Sequence, residues 1–93
     1  MYRQQILDLI KNCQEAARKG ASLDDIRLKV LPDLIKPFLD SAIDFLNWIK
    51  DDREYSYFYY DVQESGVCAK PVEAAALILE TLIVFTLEQS KKD

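Results

Sequence analysis

The chain has 93 residues, 49% of them apolar, and a net charge of −4 with acids and bases intermixed. That length and composition fit one domain spanning 1–93, leave ample material for one core, and exclude global disorder. The charge balance argues against a surface for duplex nucleic acid or an anionic membrane, because each would be repelled unless bases clustered on one face.

The first element is read from Ile6, Leu9, Ile10, Cys13, Ala16 and Ala17, which recur at three-and-four spacing and predict an amphipathic helix over about 2–19. Gly20, following Arg18-Lys19, is the expected stop. Arg18-Lys19 and Lys91-Lys92 are the only adjacent basic pairs, and both are read as helix-end cations that offset the macrodipole. The N-terminus carries no continuous apolar run of the kind a secretory leader needs, so the chain reads as cytoplasmic. Cys13 reads as a small core residue. Cys68 falls in a predicted loop, and two cysteines this far apart form no metal clip and imply no disulfide framework.

Ser22, three residues before Asp25, resembles a capping box, so a short helix is expected from Leu23 to about Val30. Pro32 and Pro37 then predict a bend over 31–36, since each lacks an N–H and biases its predecessor toward extended geometry. A long helix is expected from near Pro37 to near Asp52. Its buried stripe is Leu28, Leu31, Ile35, Phe38, Ala42, Phe45 and Ile49, and Asp33, Lys36, Asp40, Asp44, Asn47 and Asp51 mark its wet face. Trp48 lies beside that wet face.

Five of the six residues from Tyr55 to Tyr60 are aromatic. Alternation and β propensity predict an extended segment at about 54–62, with a turn at 63–66 and a brief return at Val67, Cys68 and Ala69. The last helix starts at Pro71, with Glu73 in its first turn. From Val72 to Leu87 only Glu73, Glu80, Thr81 and Thr86 are not apolar. The run is too short to span a membrane. It must be the central helix of a bundle, or part of it is a subunit contact. The fold class is therefore all-α: three main helices and one short helix, with the extended aromatic segment before the last helix. The tail from Gln89 is expected to fray.

The chemistry is thin. Histidine is absent, which removes the usual general base near neutral pH and the commonest zinc ligand. With glycine only at 20 and 66, no phosphate-cradling loop can be built. Asp51, Asp52, Glu54, Asp61 and Glu64 surround the aromatic run; they are read as a solvated rim rather than as a metal or catalytic cluster. No catalytic residue, metal site or cofactor is assigned. Base stacking by the tyrosines is disfavoured because Arg53 is the only base between Asp51 and Lys70. A helix-turn-helix over 23–52 would present Asp40, Asp44, Asp51 and Asp52 where DNA needs cations.

The expected function is a small non-enzymatic interaction protein: an adaptor, inhibitor, immunity-type protein or assembly chaperone. Trp48, Tyr55, Tyr57, Tyr59 and Tyr60 are the candidate partner-binding residues, with a core lid as the plainer reading of the same run. Leu77, Leu82, Val84 and Phe85 are the candidates for self-association into a dimer. The alternative is a nucleic-acid-binding regulator acting as a dimer with a composite basic face.

Overall fold

A helix apolar nearly all round is stable only where neighbours cover it, and the fold is organised around that requirement. The computed structural model describes residues 2–67 and 70–91. They form α1 (Tyr2–Arg18), α2 (Leu23–Asp25), a π-helical turn (Ile26–Val30), α3 (Leu31–Leu34), α4 (Lys36–Asp40), α5 (Ala42–Ile49), α6 (Ser56–Ser65) and α7 (Pro71–Lys91). The all-α bundle is as expected. α1, α4, α5 and α6 all pack on α7, which buries Ala75, Ile78, Leu79, Leu82 and Ile83 among them. Of the two readings of this helix, central position within the chain's own bundle accounts for its buried side. The helix continues through Gln89 to Lys91; Met1, Lys92 and Asp93 lie outside the described residues, as do Cys68 and Ala69 of the expected return, whose first residue, Val67, is in no strand.

The capping box at Ser22 is complete. The Asp25 N–H donates to Ser22 Oγ at 3.1 Å, and the Ser22 N–H to Asp25 Oδ2 at 3.5 Å. These bonds from Ser22, with Lys29 nearby, hold the Asp25 carboxyl below its ordinary range. The π turn follows directly. Pro32 has no N–H for the Leu28 carbonyl, and its ring crowds that carbonyl. The chain widens instead, and Leu31 N–H bonds to Ile26 O, five residues back. The extra residue in the turn corrects the expected stripe: Ile26 and Leu31 both face the core, whereas Leu28 is 70% exposed.

The long helix expected from Pro37 to Asp52 is likewise divided. α4 and α5 meet at Ser41, whose φ of −124° and ψ of 44° are not helical. The Ser41 hydroxyl lies 2.9 Å from the Tyr2 hydroxyl on α1, either atom able to donate. The stripe survives both breaks, since Leu31, Ile35, Phe38, Ala42, Phe45 and Ile49 are all buried. All six expected wet-face residues are exposed.

The extended aromatic segment is not observed. Residues 56–65 are helical, and Tyr55, Phe58 and Val62, at spacings of three and four, face the core. Where nearly every position is aromatic, period two and period 3.6 cannot be told apart. Two local devices select the helix. Gly66 closes it in the left-handed region, φ 66°. At its entry, Asp52 Oδ2 accepts the N–H groups of Glu54 and Tyr55, each at 3.0 Å, while Oδ1 accepts from Arg3 Nη2 at 2.8 Å. Asp52 is thus no rim residue; its side chain is 8% exposed. Asp52→Ala is expected to lower stability by about 1–2 kcal/mol through the lost bonds to the turn that leads into α6. Asp52→Asn keeps an acceptor and is expected to lose less. Urea midpoints of the two variants check this, and equal losses would show that the charge, not these bonds, matters.

Candidate functional site

At 100° per residue, the buried positions of α7 from Ile78 to Leu87 leave an outer arc about 140° wide, which Ala74, buried nearer the N-terminus, interrupts. Glu80, Val84, Leu77, Glu88, Thr81 and Phe85 occupy it, all partly or fully exposed. Each edge is fixed by a neighbour. Arg27, in the π turn, donates from Nε to Glu80 Oε1 at 2.9 Å and from Nη1 to Asp24 at 3.1 Å. On the other edge Phe85 meets Phe58 of α6 edge-on, centroids 5.6 Å apart, and Phe58 meets Tyr57 in the same manner at 5.4 Å. Along this face lies a shallow open hollow of about 310 Å³, lined by Glu80, Thr81, Val84, Phe85 and Glu88, all of α7.

Two of the surfaces expected to be separate therefore join. Tyr57, 66% exposed, and Phe85, 48% exposed, are linked through the buried ring of Phe58. Leu77 and Val84 lie on the same arc. Leu82 does not: it is 1% exposed, on the opposite side of the helix, and leaves the self-association set. Tyr55 leaves the partner-binding set for the same reason. It is buried, with the Arg3 guanidinium carbon 5.6 Å from its ring centre. Burial, with the Glu54 charge adding to it, raises the Tyr55 hydroxyl above its ordinary range. Tyr59 is partly buried against the core, and Tyr60 is exposed with its ring 5.0 Å from that of Tyr59. Trp48 belongs elsewhere. Its rings of contact are Tyr2 at 5.7 Å and Phe45 at 6.4 Å, in a cluster that also holds Phe38. Phe58, the bridge, was not singled out from sequence, although its spacing from Tyr55 and Val62 carried the signal.

The acids around the aromatic run divide rather than converge. Asp52 and Glu54 both hold Arg3, and the bond to Glu54 raises that guanidinium's already high pKa further. Asp51, Asp61 and Glu64 are exposed and form no ion pair among the described residues. Among those residues no group of three or more histidine, cysteine, aspartate or glutamate side chains could hold a metal ion. A second hollow, about 370 Å³, opens between α1 and α2. Its polar lining is limited to Gln14, Arg18 and Ser22, and Ser22 is committed to its cap.

Cys13 is a free, fully buried thiol, and burial pushes its pKa up to about 11. The folded state therefore favours the neutral form. Its contribution to stability is intact below pH 9.0, the ordinary value, and is lost as pH rises through about 11. In a Cys68→Ser background, a thiol reagent at pH 8 is expected to label Cys13 only at the rate of unfolding. Fast labelling of folded protein would contradict its burial.

Compared with protein-family models, with curated proteins and with solved structures, the chain matches none. Among the described residues no helix is long and apolar enough to cross a membrane.

Proposed function

We propose that the protein is a cytoplasmic, non-enzymatic docking module that captures another protein on the composite face of α6 and α7. The observation that carries this reading is the continuous ring contact from exposed Tyr57 through Phe58 to exposed Phe85. The core beneath is already complete without the two outer rings. Large aromatics left at the surface and held rigidly by a packed neighbour have the character of interface anchors, since little entropy remains to be lost on binding. The helix arc beside them adds Leu77 and Val84, which extends the apolar strip along α7. A reducing compartment is consistent with the free thiol of Cys13.

Tyr57→Ser with Phe85→Ser is expected to change stability by no more than about 1–2 kcal/mol, because both side chains are already half in water. The same double variant is expected to lose a specific partner that the unaltered chain retains as bait in an extract of its source cells. Equal capture by the two proteins, with both folded by circular dichroism, would refute the docking reading. Unfolding of the variant would show the outer rings to be a lid.

A further inference from the structure

Resting on that reading, we infer that the occupant of the outer face of α7 is a basic amphipathic helix from another protein. Shape supplies the first argument. Leu77, Thr81, Val84 and Glu88 succeed one another at spacings of four, three and four, which is the seam one helix offers to another lying along it. Arg27 and the Tyr57–Phe58–Phe85 contact stand at its two edges, and the shallow open face between them is lined by α7 alone.

Charge supplies the second. Glu73, Glu80 and Glu88 follow the arc of α7. Asp61 and Glu64 lie four and seven residues beyond Tyr57, on its flank of α6. Arg27, at the edge of this face, is already engaged by Glu80 and Asp24. Asp61, Glu64, Glu73 and Glu88 have no ion-pair partner among the described residues, so the face presents unneutralised carboxylates beside an apolar floor. A lysine or arginine fits both features. Its methylene stem can cover Val84 and Phe85 while its cation reaches Glu88 or the face of Tyr57.

The same charges disfavour a second copy. With the two-fold axis across the helices, two copies of α7 run antiparallel and a seam centred near Thr81 sets Glu73 of each close to Glu88 of the other; with the axis along them they run parallel, and Glu73, Glu80 and Glu88 each face their own copy. Like charges opposed at both ends cost affinity and steer copies apart. Nucleic acid is repelled by the same acids.

The test uses two labelled helical peptides of about 18 residues, five turns each, of identical amphipathic pattern. One is built of leucine and lysine, the other of leucine and glutamate, and both are titrated against the full chain. The leucine–lysine peptide is expected to bind about tenfold or more tightly than its acidic counterpart. Glu73→Lys with Glu88→Lys is expected to reverse that preference. Asp8→Lys with Asp33→Lys, an equal charge change on α1 and α3, is expected to leave it unchanged. Val84→Ser with Phe85→Ser is expected to weaken the basic peptide about tenfold.

Equal weakening by the Asp8/Asp33 pair would overturn the inference by showing non-specific attraction. So would equal binding of the two peptides, or a stable dimer whose dissociation by Phe85→Ser opens that face. If neither peptide binds while capture from extract still depends on Tyr57 and Phe85, the basic-helix inference fails and the docking reading survives. If that capture is also absent, both fail.

Discussion

Leu82→Asp is expected to unfold the protein, while Val84→Asp, two residues along the same helix, leaves it folded. Leu82 is enclosed on the side of α7 that faces the rest of the bundle. A carboxylate there has no partner and no water, and the uncompensated charge costs several kcal/mol. That is comparable with the whole stability of a small domain, about 5–15 kcal/mol. Val84 lies on the outer arc beside the hollow, where an aspartate can reach solvent, and a loss of about 1 kcal/mol is expected. Circular dichroism with urea titration of the two variants measures the contrast directly. If both unfold, something covers the outer arc; if neither does, α7 is not the central helix.

Phe45→Ala is expected to remove about 3–5 kcal/mol, the usual range for deleting a fully buried phenylalanine ring. Phe45 stands at the centre of an aromatic cluster. It meets Tyr2 at 5.4 Å and Phe38 at 5.2 Å, both edge-on, and Trp48 at 6.4 Å. The cluster ties α1 to α4 and α5, and the cavity left by the ring cannot collapse without moving all three. Trp48 is the only tryptophan, so its emission reports the same event: a shift to longer wavelength in the folded variant is expected as water reaches the loosened ring. A loss below about 1 kcal/mol would mean that neighbouring side chains refill the space and that the cluster is not a rigid unit.

The helices with well-separated apolar and polar faces were legible in the sequence, because burial repeats there with the period of the helix. Ile6, Leu9 and Cys13 announce α1 in this way, and the stripe from Leu31 to Ile49 could be read through two interruptions. Two features could not be read, each for a local reason. The aromatic run saturates both periodicities, so only Asp52 and Gly66 at its ends reveal the helix, and the bonding of Asp52 is a matter of backbone geometry. Spacing alone places Leu28 in the core because it does not anticipate the residue that a π turn adds; Pro32, four residues on, is the clue. The site was half visible. Val84 and Phe85 were named as surface candidates, but on a helix apolar all round no periodicity separates them from Leu82. That Tyr57 and Phe85 form one face depends on α6 packing against α7 through Phe58, a tertiary contact between residues 27 positions apart.

The position of α7 also has a temporal meaning. The helices that pack on it all precede it in the chain, so a ribosome releases their apolar faces before the helix that covers them. Ile6, Phe45 and Ile49 are wholly enclosed in the finished fold, yet during synthesis they wait for Ile78 to Leu87 before that enclosure can form. Native packing therefore follows the emergence of α7. In the interval the nascent chain exposes aromatic and aliphatic surface of the kind that holdase chaperones recognise.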